Sequence, residues 1–395
     1  MRKVFKLPEV VFFQEGPGVR KWQFRGHGIK LLNGGNINNN IIDLSTTDKY
    51  ISEEEAFNKY KHFLIKEGDL LIACSGIVVE KFDGKIAFVK NHHLPLCLNT
   101  STMRFRSLES EKLYIKYFYY FLKSRQFKSQ IQRLITGSAQ LNFGPTHIKK
   151  VKISLPKVES QKVISKTLDL IDRNRQLLRA ELAEYSALGE SLFLEMFGDP
   201  VLNEKGWTIT RLKTCLNFLT SGSRGWAKYY STKGDIFLRI QNIGYDQFRS
   251  EDLQLVNAPD STEANRTTVR AGDVILSITA DLGRSTVIPD SLPKAHISQH
   301  LAILRLNENW NPKYVSAYIA SLGGRKLFNS LNKGGVKAGL NFNDIRSYPL
   351  FKVPLSLQNE FAARIAVIEK LKAKTEAALA EADDLFNGKL QEVFG

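Results

Sequence analysis

Long apolar runs are missing from this sequence. Its hydrophobic stretches are short, as at Ile77-Val78-Val79, far below the roughly 20 residues that cross a bilayer. Cysteine is scarce: Cys74, Cys97 and Cys215 are too few and too scattered for a disulfide framework or a CxxC zinc site. No GxGxxG fingerprint or phosphate-binding loop occurs, and Gly16-Pro17-Gly18 and Gly34-Gly35 read as turns. The Asn-Pro-Pro-aromatic run of amino-methyltransferases is absent; Asn311-Pro312-Lys313 reads as a turn and helix start. His92-His93 with Cys97 supply too few ligands for zinc, and His296 and His300 fall in a strand-like segment that does not bring them together. Lys6 and Glu9 break any signal-peptide core in the basic N-terminal stretch. The expectation is a reduced, cytosolic protein with no membrane segment and no metal of its own.

Apolar residues make up 43% and aromatics 10% of the 395 positions, so folded cores rather than disorder are expected. Lys and Arg number 56 against 40 Asp and Glu, a formal charge of +16 with no lysine-rich tail. A folded surface that meets a polyanion is one reading of that surplus.

The chain repeats itself with a period near 200 residues. Leu192-Phe193-Leu194-Glu195-Met196-Phe197-Gly198 parallels Lys389-Leu390-Gln391-Glu392-Val393-Phe394-Gly395. Upstream, Gln161 matches Gln358, Leu141-Asn142-Phe143 matches Leu340-Asn341-Phe342, Ile148 matches Ile345 and Pro156 matches Pro354. Gly68-Asp69-Leu70-Leu71-Ile72 matches Gly272-Asp273-Val274-Ile275-Leu276, and Asn36-Ile37 matches Asn242-Ile243. Matches in one order at so long a period indicate two duplicated domains, not a solenoid.

Each copy opens with a mixed segment. β-Branched and aromatic runs (68–72, 85–89, 234–240, 273–278, 285–288, 301–306) alternate with Gly, Asn, Asp and Pro clusters and read as strands and turns. One helical stretch follows in each, at 111–133 and 312–330. Each copy closes with a long helix, beginning near Glu159 and near Ser356 just after a proline. Apolar residues at alternating steps of four and three run along both: Ile164, Leu168, Ile171, Arg175, Leu178 and Leu182 in the first, Phe361, Ile365, Ile368, Lys372, Leu379 and Phe386 in the second. Both stripes carry a cation at the same place, Arg175 and Lys372. Two matched stripes in one chain point to an antiparallel coiled coil about a pseudo-two-fold axis. The expected fold is α+β: two tandem α/β domains, each followed by a long helix. The boundaries are 1–155 and 204–354 for the domains, 156–203 and 355–395 for the helices.

Residues 157–198 carry a net −1 and residues 356–395 a net −2, leaving +19 on the rest. The basic surplus therefore sits on the two heads. A spacer of about 38 helical residues spans about 57 Å, or at most about 17 base pairs of duplex. Two unlike heads on such a spacer would read a bipartite, asymmetric DNA site.

These features resemble the specificity subunit of Type I restriction–modification systems. The resemblance rests on Gly234–Ile243, Gly272–Ser277 with Leu282-Gly283-Arg284, Ser298-Gln299-His300, Leu340–Ile345 and Val353–Gln358, with weaker versions in the first copy. The first copy lacks a clear counterpart of Arg239–Asn242 beyond Asn36-Ile37. The resemblance implies a non-catalytic, DNA-binding scaffold with two target-recognition domains and paired spacer helices. It also implies partnership with two methyltransferase (M) subunits that bind S-adenosylmethionine and methylate adenine, and with optional restriction (R) subunits that use ATP and Mg²⁺. No cofactor is expected on this chain.

Residues in polar turns are the candidate DNA contacts: Arg20, Lys21, Arg25, Asn36, Ser75, Lys81 and Asn99 in the first head, and Ser221, Arg224, Arg239, Asn242, Arg284, Gln299 and Lys337 in the second. Arg224 lies in the Gly- and Ser-rich run Ser221–Trp226, where glycines allow close approach to phosphate and Trp226 either stacks or anchors the loop. The competing reading is a stand-alone DNA methyltransferase or nuclease. For a nuclease, Asp69 with Asp83-Gly84-Lys85 would hold Mg²⁺ and orient a water.

Overall fold

The computed structural model describes residues 2–135, 142–331 and 339–395, apart from the side chains of Val79 and Glu80. The chain divides into two compact units, Met1–Arg179 with Ala377–Gly395, and Ala180–Glu376.

In the first unit an antiparallel sheet runs in the order Val11–Glu15, Thr102–Ser107, Leu70–Ala73, Ile86–Phe88. Successive strand side chains point to opposite faces. Leu70, Ile72, Met103 and Phe105 enter a core with Phe118, Phe121 and Phe127. Leu71 and Ala87 face the other way, onto Leu32, Leu96 and Leu98. That second layer pairs Ile29–Leu32 in parallel with Leu96–Leu98 and antiparallel with Tyr50–Ile51. Lys3–Lys6 pairs antiparallel with Lys152–Leu155, the strand that leads into the first long helix.

The second unit repeats this plan. Its four-stranded sheet runs Leu216–Ser221, Leu301–Leu306, Val274–Ser277, Ser285–Val287. Val274, Leu276, Ala302 and Leu304 enter one core, and Ile275, Leu301 and Ile303 another. Asp235–Leu238 again pairs in parallel, here with Ala295–Ile297, and Ile209–Arg211 pairs with Pro349–Phe351.

The single helical stretch expected in each copy is two helices: Ile115–Lys123 and Arg125–Leu134 in the first, Pro312–Ala320 and Leu322–Leu331 in the second. A serine makes the break each time. Ser124 takes extended backbone, donates its hydroxyl to Phe121 O at 2.6 Å and accepts from Phe127 N. Ser321 likewise donates to Tyr318 O and accepts from Gly324 N. The hydroxyl closes one helix and caps the next.

The long helices span Val158–Phe197 and Leu355–Phe394. Both apolar stripes lie on covered faces: Leu168, Phe361, Ile365, Ile368 and Phe386 are buried, and Ile164, Ile171, Arg175, Leu178, Leu182, Lys372 and Leu379 are half-buried. In the second unit Phe193 and Phe197 pack edge-on to Phe361, and a Cβ at Gly189 would sit 3.7 Å from Ile365. Position rises along one helix as it falls along the other, so the segments run antiparallel. In the first unit Ile164, Leu168 and Ile171 share a core with Phe386, Leu390, Val393 and Phe394. Arg175 on this seam bonds Asp383 at 2.5 Å and Asp172 at 2.8 Å, and lies 4.2 Å from the Phe386 ring. Its charge is matched, which makes a seam cation tolerable.

Two repeated sequence signatures act as structural locks. Gln161 is fully buried. Its carbonyl accepts from Tyr114 N at 2.9 Å, and its amide donates to Lys112 O and Pro156 O at 2.8 and 2.9 Å. Gln358 does the same for Asn311 N, Asn309 O and Val353 O. Each glutamine ties the start of a long helix to the start of the shorter helix beneath it. Asp69 accepts from Lys66 N and pairs with both guanidinium arms of Arg106; Asp273 accepts from Arg270 N and pairs likewise with Arg305.

Candidate nucleic-acid interface

Antiparallel order puts particular strand ends together. In the first unit the C-terminal ends of Val11–Glu15 and Leu70–Ala73 meet the N-terminal ends of Thr102–Ser107 and Ile86–Phe88. Segments 16–28, 74–85 and 99–101 leave from that one end. They carry Arg20, Lys21, Arg25, Ser75, Lys81 and Asn99. In the second unit segments 222–229, 278–284 and 298–300 leave from the same end of the matching sheet, carrying Arg224, Arg284 and Gln299, with Ser221 the last residue of its strand. A glycine seats each first loop. A Cβ on Gly16 would lie 2.4 Å from the backbone of Asn99, and one on Gly222 would lie 2.2 Å from Ile297 O. No larger residue allows that approach.

Arg20, Lys21, Arg25, Ser75, Lys81 and Arg224 are exposed. The Arg25 guanidinium donates to the carbonyls of Trp22 and Phe24. Ser75 donates to Asn142 Oδ1 at 3.1 Å. Asn99 is half-buried, and its side chain accepts from Ser101 N in its own turn. Arg239 is held by Asp252 at 3.2 Å, and Arg284 by Asp281 at 2.6 Å. Gln299 sits half-buried beside His300. Trp226 anchors rather than offers a stacking face: it is buried, stacks on Phe237 at 5.1 Å, and donates to Ser223 Oγ. Lys337 and Leu141 lie outside the described residues.

Two of the expected contacts are corrected. Asn36 and Asn242 are buried, and their amides are spent inside the fold, Asn36 Nδ2 on Thr46 Oγ1 as well as on backbone. Asn36 Oδ1 accepts from Asn33 N, and its Nδ2 donates to Asp43 O; Asn242 Oδ1 accepts from Arg239 N, and its Nδ2 donates to Glu251 O. A side chain with both ends bonded inside the fold has nothing left for a base edge. The match also supplies the missing correspondence: Asn33 occupies in the first head the place of Arg239 in the second.

The nuclease constellation fails on geometry. Asp69 is buried against Arg104 and Arg106, Asp83 pairs with Lys128 at 2.6 Å, and Lys85 donates to Asn38 Oδ1 at 2.6 Å. Each group is held by a different partner, so the three do not converge on one ion. Among the described residues no group of three His, Cys, Asp or Glu side chains is placed to hold a metal. His296 is an internal bond-former, reaching Asp235 and Ala264 O. Burial pushes the thiols of Cys74, Cys97 and Cys215 up to about 12, so they are inert.

Two features escaped sequence reading. Trp22 is 72% exposed, between Lys21 and Arg25 at the loop end of the first unit. A tryptophan flanked by cations was the available signal. In the second unit Tyr245 donates to Asp281 Oδ1 at 2.6 Å, with Arg325 4.2 Å from its ring. Burial works against the Asp281 charge, but the bonds from Tyr245 and Arg284 hold its carboxyl below the usual range. In the first unit burial, and then the neighbouring Lys81, pull the Lys85 ammonium down. An arriving anion would relieve that repulsion.

Residues 2–184 match the family model of the Type I restriction modification DNA specificity domain. That stretch of the chain is therefore similar to a Type I restriction modification DNA specificity domain. A curated relative, the Type I restriction enzyme MjaVIII specificity subunit of Methanocaldococcus jannaschii, is 31% identical over 180 residues, 45% of this chain and 41% of the relative. The match thus spans less than half the length of that relative. Over the whole chain, the likeness is one of fold. The Type I S subunit from M. genitalium superposes with a TM-score of 0.57 at 14% identity, covering 100% of this chain and 96% of that one. A chain from a structural study of assembly and conformational transition in the type I R-M system gives 0.58 at 18% identity, covering 100% and 97%. The second unit therefore shares in a specificity-subunit fold although the family model stops at residue 184.

Proposed function

We propose that the chain is the specificity subunit of a Type I restriction–modification complex. It reads a bipartite, asymmetric duplex site with one head per half-site, and supplies the platform on which methyltransferase subunits assemble. The observation that carries this is the selective duplication. Both heads keep the same four-stranded antiparallel sheet, parallel strand pair, glutamine bridge, aspartate–arginine lock and asparagine turn, while the loops at the matching sheet end differ. Conserving the frame and varying the loops is what two unlike half-sites require. The heads are assigned to residues 1–155 and 204–354, and the spacer helices to 156–203 and 355–395.

The partner assignment has its own support. On the first long helix Val163, Leu170 and Leu177 are 60–66% exposed at seven-residue spacing, and Val367 and Leu385 are about as exposed on the second. Solvent-facing apolar side chains at heptad spacing suit docking by other subunits. Two M subunits would bring S-adenosylmethionine, and R subunits, where present, ATP and Mg²⁺; this chain's share is binding and positioning. Among the described residues no helix is long and apolar enough to cross a membrane, which agrees with work on chromosomal DNA in the cytoplasm.

Methylome sequencing of the source strain tests the proposal. A split, asymmetric adenine-methylation motif should be present and should vanish on deletion of this gene. A methylome unchanged by the deletion would overturn the reading.

A further inference from the structure

In each unit a lysine joins a turn at the loop end of the head to an acid on a long helix. In the first unit it is Lys123, the last residue of Ile115–Lys123. Its ammonium donates to Asn40 Oδ1 at 3.1 Å, lies 3.8 Å from Asp172 Oδ2, and sits 4.3 Å from the Tyr119 ring. The residue is only 5% exposed. In the second unit it is Lys313, near the start of the matching helix Pro312–Ala320. Its ammonium lies 2.9 Å from Asp246 Oδ2 and also pairs with Glu369.

The two lysines are not copies of each other. Ala320 stands where a second Lys123 would be, and Lys116, which pairs with Asp169, stands where Lys313 would be. Their loop partners do correspond. Asn40 and Asp246 each follow the buried turn asparagine by four residues, and both take left-handed backbone, φ 62° and 54°. The same connection is made twice, from opposite ends of one helix.

The turn so held is seated on a candidate recognition loop. Asn40 donates its backbone N–H to Gly84 O and its side-chain amide to Asp83 O and Ile86 O, on the segment that carries Lys81. In the second unit Gly244 O accepts from Ser285 N, Ile243 O from Arg284, and Tyr245 bonds Asp281.

We propose that Lys123 and Lys313 are positioning residues for DNA readout: each clamps its head's recognition turn to a long helix of the same unit, and half-site discrimination by that head depends on the clamp. This rests on the DNA-reading function proposed above. The physical reason is that an ammonium shielded from water and gripped from two elements leaves neither free to shift, and readout tolerates only small displacements of its side chains.

The test selects preferred sites from a randomised duplex pool with the full chain, in wild-type and variant forms. Lys123→Met should lower discrimination at one half-site by about tenfold and leave the other intact, and Lys313→Met should do the reverse. Asp246→Asn, which supplies the amide used in the first unit, should stay within about threefold of wild type, while Asp246→Ala should not. Wild-type discrimination in both lysine variants, or equal loss at both half-sites, would overturn the clamp. A wild-type chain with no sequence preference would overturn the DNA-reading function and the clamp with it, a different result from a split motif the variants leave unchanged. Should a lysine variant fail to fold, Asn40→Ala and Asp246→Ala remove the loop-side partner alone. Unaltered selection by both would overturn the clamp equally.

Discussion

Replacing Gln161 with leucine removes a three-way backbone bridge while keeping nearly the same volume. The Gln161 amide serves Tyr114 N at 2.9 Å, Lys112 O at 2.8 Å and Pro156 O at 2.9 Å. Leucine leaves one N–H and two carbonyls without that partner. A buried polar group left unpaired costs about 1–3 kcal/mol, and carbonyls lose less because a second lone pair remains. Tyr114 is half-buried, so water recovers part of the loss. The sum comes to about 3 kcal/mol, which for a unit of this size lowers Tm by about 6–12 °C. Calorimetry on the full chain measures it. Gln358→Leu is the internal control: its bonds to Asn311 N, Val353 O and Asn309 O are 2.8, 3.0 and 3.4 Å, so the longer third bond predicts a somewhat smaller drop. A Gln161→Leu shift below about 2 °C would refute the idea that this glutamine holds the head to its helix.

Other substitutions probe other levels of the structure. Phe361→Ala empties a fully buried site between Phe193 and Phe197 and should cost about 3–5 kcal/mol by denaturant titration; a cost under about 1 kcal/mol would mean the helix seam is not tightly packed. Arg224→Ala should weaken duplex binding by about 1–3 kcal/mol without moving Tm, read by fluorescence anisotropy; unchanged affinity and site preference remove Arg224 from the interface. Trp22 fluorescence should be quenched on adding duplex, and the quenching should disappear in Trp22→Ala; quenching that survives would assign the signal to another tryptophan. Burial drives the Lys123 ammonium down to about 8, with Asp172 and Asp83 pulling it up and Arg175 and Lys128 pushing it down. Above that pH the folded chain sheds a proton that the unfolded chain keeps until about 10.5, so this group makes stability rise with pH between the two values, by at most about 3 kcal/mol. The wild-type stability curve should therefore climb relative to that of Lys123→Met from pH 8 to 10; parallel curves would refute the assignment.

The recurring residues of the duplicated copies were legible as signatures but not as roles. Asn36 and Asn242 read as DNA contacts because they fall in polar turns. Their burial in identical turns depends on carbonyls up to nine residues away closing around the amide, which no local pattern announces. Asp69 reads as a metal ligand because an acid-x-Lys run follows it, but Arg106 from a neighbouring strand takes its carboxylate. The serine breaks at Ser124 and Ser321 were hidden because the flanking apolar periodicity carries through them. The exposure of Trp22 is not legible in the sequence because it is a property of the fold, not of the residue.

Duplication, heptad spacing and the segregation of charge onto the heads are one-dimensional properties, so the sequence alone determined two mixed heads, two long helices and a basic surplus outside those helices. Which strand ends share one edge, which cations stay free of acids, and which lysines reach from a helix into a turn depend on contacts between residues tens to hundreds of positions apart. Only the tertiary structure decided those, because side-chain partnership is set by three-dimensional closure and not by order along the chain.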